Sequence, residues 1–440
     1  MKNTIIIVFL LFCAELSISS AYANELRNIN LYSLADTTKS KTKTKEDIIK
    51  KGISFGPLPV IAFDQDKGFQ YGALLNIYNF GDGSWYPNPK SQWYFEASAY
   101  TKGSYKFDIR YDNKTLIKNT RMSIAGNFSN DKALDFYGFN GYQTYYDKDL
   151  PTAFYRHGRT VYSFKTDFTG KIISGFSWVA GYHLNYFKTE RFNKDDFAGK
   201  SLYDIYVENN IIDKKDAEGG YSSAVRFGFV FDTRNVEANP TKGLWAETHA
   251  IAAPELLGTS KSYFKLHFVF RHYVPLVSDK LTFAYRLNYQ GFIGDAPFYV
   301  MPFHTVVGPF NDYDGFGGYR TVRGLIRNRV QSLQVGFFNT ELRWKFVDFK
   351  LFNQNIALNL SGFFDGVRSF KQVDLSPLEN YNYNDIKILA DKPEDFHLST
   401  GAGFRFIMNQ NFIVAFEYGK ALNNQDNSKG SFYINTGFLF

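Results

Sequence analysis

The sequence predicts an all-β fold: a single antiparallel transmembrane barrel of sixteen strands, with a long external loop turned into its lumen. Three observations carry this expectation. The chain is 19% aromatic, with 46 Phe and 31 Tyr in 440 residues, while its mean hydropathy is negative. Lipid-facing bands and interfacial girdles use that many rings; a soluble core does not need them. From Gly56 onward, segments of about ten residues alternate apolar with polar side chains between clusters of Gly, Asn, Asp and Pro. Finally, the chain opens with an export signal.

That signal is residues 1–23. Lys2 supplies the charge, Ile5 to Phe12 the apolar run, and Ala21-Tyr22-Ala23 the small-residue cleavage site before Asn24. Cys13 is the only cysteine and lies within the signal, so the mature chain can hold neither a disulfide nor a Cys-based metal site. After the signal, no run of 18 or more apolar residues occurs, which excludes transmembrane helices. Residues 24–55 read as a short polar periplasmic segment with Lys39, Lys41, Lys43, Lys45, Lys50 and Lys51, and Lys45–Lys51 could form a short helix at the barrel mouth.

The barrel is expected over 56–440. Candidate strands are 57–65, 69–80, 91–102, 104–115, 119–128, 157–170, 174–187, 220–232, 243–253, 262–274, 279–292, 329–346, 354–366, 397–407, 411–420 and 431–440. In the eighth, Val225, Phe227, Phe229 and Phe231 share one face, while Arg226, Gly228, Asp232 and Arg234 share the other. In the twelfth, Leu342, Trp344 and Phe346 oppose Asn339, Glu341, Arg343 and Lys345; in the thirteenth, Ile356, Leu358, Leu360 and Phe364 oppose Asn359, Ser361 and Asp365. Connections at 66–68, 103, 171–173 and 275–278 are short and those at 81–90, 129–156, 188–219, 293–328 and 367–396 long, the asymmetry of periplasmic turns and external loops. The last strand carries alternate aromatics to Phe438 and Phe440, expected to face lipid and to form the C-terminal insertion signal.

The most informative stretch is the loop 293–328, with Val322-Arg323-Gly324-Leu325 at its tip. Gly324 permits a tight bend, and an Arg carried into the lumen needs acceptors. Glu341 and Asp365, on the polar faces of neighbouring strands, are the expected pair, because a guanidinium fork can bridge two carboxylates.

These residues resemble the BamA/TamA assembly-factor superfamily, also known as the bacterial surface antigen family. Val322-Arg323-Gly324-Leu325 is similar to its VRG(F/Y) loop tip. Asp232-Thr233-Arg234 with Asn239-Pro240-Thr241-Lys242-Gly243 is similar to its hairpin motif, Gly362–Gly366 to its strand-13 element, and Glu341 to its strand-12 acid. Leu325 stands where the family has an aromatic, and Asp365 and Gly366 adjoin where the family separates them by one residue. Members carry periplasmic polypeptide-transport-associated (POTRA) domains of about 75 residues, and 24–55 cannot supply one, so the chain resembles a barrel-only member.

The resemblance implies the outer membrane of a Gram-negative bacterium and a role in inserting or translocating proteins or lipids. Implied partners are outer-membrane lipids including lipopolysaccharide, the insertion machinery during the protein's own assembly, and an envelope client. In the family, a poorly zipped seam between the first and last strands is held to admit client strands; Pro57 and Pro59, which cannot donate to a ladder, either weaken such a seam here or simply mark the start of the strand. The alternative function is a passive sixteen-stranded porin.

No catalytic centre, cofactor or metal is expected: G-x-S-x-G, H-E-x-x-H and P-loop motifs are absent. The seven histidines are scattered along the chain, and His304 reads as structural. Asn311–Gly315 resembles a fragment of a calcium loop without its later acidic ligand. The net charge of +7 is interleaved with acids along the strands, which suits a polar lumen and argues against a nucleic-acid partner.

Overall fold

A computed structural model describes residues 49–440 apart from 65–67, 87, 193–196, 198, 309–312, 353, 410–411, 428 and 437. The expected signal peptide and most of the polar segment lie outside the described residues, as does part of the calcium-loop fragment. Residues 49–51 are not helical, and the first strand begins at Ile53 rather than 57.

Sixteen strands close into one antiparallel barrel. They are β1 (Ile53–Asp64), β2 (Gly68–Asn79), β3 (Ser91–Tyr100), β4 (Tyr105–Ile117), β5 (Thr120–Asp135), β6 (Arg156–Ile173), β7 (Phe176–Arg191) and β8 (Gly219–Asp232). The others are β9 (Gly243–Ala253), β10 (Tyr263–Val277), β11 (Leu281–Ile293), β12 (Gln334–Leu351), β13 (Gln354–Lys371), β14 (His397–Met408), β15 (Phe412–Ala421) and β16 (Ser431–Thr436). Each pairs with its neighbour in sequence, and β1 closes on β16. Closure joins the first and last strands, the topology that a sheet in lipid needs, and among the described residues that join is a single pair, Phe63 with Ile434.

Alternation sets the two faces as expected. Val225, Phe227 and Phe229 point outward while Arg226 is 2% exposed; Leu342 and Trp344 point outward while Asn339 and Glu341 are buried within.

Three expectations need correction. β12 starts at Gln334 rather than 329, because 329–333 belong to the loop: Val330 N–H donates to Phe316 O at 3.0 Å. β16 stops at Thr436 rather than 440. The sidedness of the connections also differs. Connections 65–67, 101–104, 136–155, 192–218, 254–262, 294–333, 372–396 and 422–430 share one end, and 80–90 falls at the other with the tight turns. Hairpin order decides the end of each connection and length only correlates with it.

The long-loop end is roofed. Phe136, Phe139, Phe154 and Phe298 pack there with Tyr203 and Tyr206 of α1 (Leu202–Glu208) in one buried apolar cluster. Ser201 and Asp204 start that short helix with a reciprocal capping box.

Candidate functional site

The connection 294–333 enters the lumen, and Arg323 at its tip is fully buried. Its guanidinium meets Asp365 side-on, Nε to Oδ2 at 2.9 Å and Nη2 to Oδ1 at 3.0 Å, and its backbone N–H donates to Oδ2 at 3.2 Å. Nη1 donates to Glu341 and, at 2.8 Å, to Glu417 Oε1. The plane rests on the Phe363 ring, 3.6 Å from its centroid. Glu341 and Asp365 therefore lie where the strand faces placed them.

Glu417, on β15, was not foreseen. Nor was Arg405 on β14, which donates to Glu341 Oε1 at 3.0 Å and Glu417 Oε1 at 2.6 Å. Arg343 donates to the other oxygen of Glu341 at 2.6 Å. Arg323, Arg343 and Arg405 thus meet Glu341, Asp365 and Glu417, three charges of each sign within one buried network. Balanced charge is the arrangement in which burial of ions is tolerated, although Arg343 Nη1 and Arg405 Nε have no hydrogen-bond partner among the described residues.

The neighbours of Arg323 wedge the tip. Val322 and Leu325 have no exposed surface and pack with Phe316, Val330, Phe337 and Val367; Leu325 fills apolar space here. Gly324 has φ +89°, and a Cβ on it would stand 2.6 Å from Lys420 N, so only glycine lets the loop lie this close to β15.

Other ties span the lumen. Val306 O accepts from Lys165 Nζ at 2.8 Å and from Arg226 Nη1 at 2.9 Å. Arg329 donates to Gly141 O at 2.9 Å and pairs with Asp426 at 3.3 Å. Burial pushes the Asp426 carboxyl up, but His397 and Arg329 outweigh it and hold it below the usual carboxylate range. Beside the loop remains a cavity of about 190 Å³, bordered by Lys106, Arg159, Arg320 and Arg327.

The hairpin motif sits at the tight-turn end. Arg234 forks onto Asp232 at 2.9 and 3.0 Å and lies 4.4 Å from the Trp245 ring centroid. Pro240 is buried, and Gly243 has φ +98° with Thr233 O 2.2 Å from where a Cβ would be. Glu237 of the same turn reaches Lys114 at 2.8 Å and Arg121 at 3.6 Å, tying the hairpin to β4 and β5. These cations outweigh burial and depress the Glu237 carboxyl.

Phe438 and Phe440 depart from expectation. The chain turns inward after Thr436, and Phe440 is buried against Tyr273 rather than facing lipid. Arg343 lies 4.8 Å from its ring and donates to its backbone oxygen at 3.0 Å; Arg343 and Arg405 also lie 4.4 and 4.7 Å from the Phe438 ring. Guanidinium groups over ring faces attract them through the ring quadrupole, which draws these rings into the lumen.

A family model for the Omp85 superfamily domain matches residues 70–440. Among solved structures, the barrel is similar to BamA from Haemophilus ducreyi lacking POTRA domains 1–3, at 15% identity and TM-score 0.55, covering 95% of this chain and 78% of that one. It is also similar to CdiB from Escherichia coli, at 9% identity and TM-score 0.54, covering 89% of this chain and 64% of that one. No curated protein sequence matches the chain.

Proposed function

Because the chain belongs to the Omp85 superfamily, we propose that this barrel, which resides in the outer membrane of a Gram-negative bacterium, works in outer-membrane biogenesis by admitting a protein or lipid client laterally. One observation carries the reading. Among the described residues, β1 and β16 pair at one position, Phe63 with Ile434, whereas β1 pairs with β2 at every residue from Ile53 to Asp64. A strand edge left unpaired is a template for another strand, and here it is presented to the membrane. The partners this reading implies are an envelope client, lipids including lipopolysaccharide, and the insertion machinery during the barrel's own assembly.

The porin reading is not favoured, because a loop pinned by buried ion pairs stands in the conduit.

Deletion of the gene should change outer-membrane protein or lipid composition, and an envelope proteome and lipid profile identical to the parent would sink the proposal. Mechanism is tested by Phe63→Cys with Ile434→Cys, in a mature chain that otherwise lacks cysteine. Oxidation should abolish complementation and reduction restore it; full complementation by the crosslinked form would exclude lateral opening.

A further inference from the structure

The lumen wall at β9 and β10, one strand away from the Arg323 network, carries a second cluster. Glu247 and His249 lie two residues apart on the inner face of β9, and His249 stands directly across the ladder from His267 of β10. All three are buried, and one ligand atom from each falls within 4.8 Å of the others. Glu247 Oε1 is 3.8 Å from His267 Nδ1, and the His249 and His267 ring centroids are 4.6 Å apart.

The cluster is incomplete as a hydrogen-bond network. His249 is 3% exposed, yet neither of its ring nitrogens has a hydrogen-bond partner. Glu247 is 1% exposed and uses Oε2 for Trp245 Nε1 at 2.8 Å, while Oε1 has no donor. A buried imidazole with two idle nitrogens beside a half-satisfied carboxylate is costly unless something supplies the bonds.

We propose that Glu247, His249 and His267 bind a divalent transition-metal cation of the zinc class. Two imidazoles and one carboxylate are a set that zinc accepts, with a further position left for water. Two ligand atoms on one zinc lie about 3.4 Å apart for tetrahedral bonds of about 2.1 Å, so the observed spacing closes with small side-chain movements. Of the nearby cations, Arg226 is engaged by Asp167 at 2.5 Å, and Lys265 by Phe303 O at 2.9 Å and Thr305 Oγ1 at 3.0 Å, while Arg271, 5.7 Å from the Trp245 ring centroid, is the one whose charge a bound cation would have to share the carboxylate with.

The metal reaches the loop through its outer shell. With Nδ1 of His267 on the cation, Nε2 carries the proton and donates to His304 Nδ1, 2.8 Å away on the two-residue ladder of Phe303–His304 with Tyr313–Asp314, and the Asn288 amide, whose Nδ2 is 3.3 Å from the same Nε2, turns its oxygen there instead. A ligating histidine characteristically donates its other N–H in this way, which fixes its tautomer. The cation would pin the loop to the wall at a second point, independent of Arg323. The role goes beyond the proposed biogenesis function and does not rest on it.

The test uses the purified full-length barrel in detergent, stripped with chelator, dialysed against micromolar zinc and assayed by mass spectrometry and zinc-edge absorption spectroscopy. Expected are about one zinc per chain, first-shell scattering from two imidazoles, and a higher unfolding midpoint with zinc than with chelator. His249→Gln and Glu247→Gln should each weaken binding more than about tenfold, whereas His272→Gln, outside the cluster, should not. Heat-modifiable gel migration establishes that each variant is folded, and the near-isosteric Glu247→Gln serves should His249→Gln fail to fold. A wild-type barrel that takes up no zinc overturns the proposal, as does undiminished zinc in a folded Glu247→Gln or His249→Gln protein.

Discussion

Two stretches of the same barrel wall differ sharply in how they are held. From β12 to β15 the strands are continuously laddered, and their inner faces contribute Glu341, Arg343, Asp365, Arg405 and Glu417 to one buried network around the loop tip. At the join of β1 to β16, one described residue pair closes the sheet. A barrel in lipid gains much by pairing its backbone, so a nearly unpaired seam next to so well-tied a wall points to a division of labour. On the proposed lateral mechanism, rigidity would be concentrated where the loop is held and opening would fall where the sheet ends.

The largest effect should come from breaking the rigid side. Arg323→Ala removes one of three buried guanidiniums and leaves Asp365 without its bidentate partner. Loss of one member of a buried ion network costs about 3–5 kcal/mol, and the loop should leave its seat. Chemical unfolding should report the destabilisation, and planar-bilayer recordings should change from small, flickering events to larger conductance. A variant with native stability and native conductance would mean that the ion pairs do not hold the loop. Arg323→Lys keeps the charge but not the fork and should fall between the two.

A smaller loss is expected from Gly324→Ala. The alanine must adopt φ near +89° with its Cβ against the backbone of Lys420, strain of about 1–3 kcal/mol. The Arg323 pairs remain available, so stability should fall with little gain in conductance. A rise matching Arg323→Ala would show that the glycine, more than the salt bridges, seats the tip.

The rigid side was also the more legible in sequence. Glu341 and Asp365 declare themselves because period-2 alternation assigns them to the polar faces of adjacent strands, and a long loop carrying Arg flanked by glycine needs acceptors. Glu417 and Arg405 carry the same parity signal on β15 and β14, but only the three-dimensional curvature of the wall brings them to the same guanidinium. The Glu247–His249–His267 cluster was hidden for a related reason. E-x-H on one strand is unremarked until the register sets His267 opposite His249. Alternation does not place Phe440, because strand pairing ends at Thr436 and beyond it the attraction of the rings to Arg343 decides their direction. Strand count and facing are local properties of the chain; the meeting of four strands at one point is not.

The smallest predicted effect bears on why the seam is short. Continuing the antiparallel register from Phe63 with Ile434 would set Pro59 against Phe438 and Pro57 against Phe440. Neither proline can donate to a ladder, and Phe438 and Phe440 are already turned inward under Arg343 and Arg405. Two causes therefore shorten the seam at the same place. Replacing both prolines with valine restores the donors without freeing the aromatics, so the gain should stay below about 1 kcal/mol, the scale of one net hydrogen bond. Amide exchange at β1 should slow only marginally. If Pro57→Val with Pro59→Val instead protects the β1 edge strongly and raises the unfolding midpoint by many degrees, the prolines alone keep the seam open, and the inward fold of the C-terminus is its consequence rather than its partner.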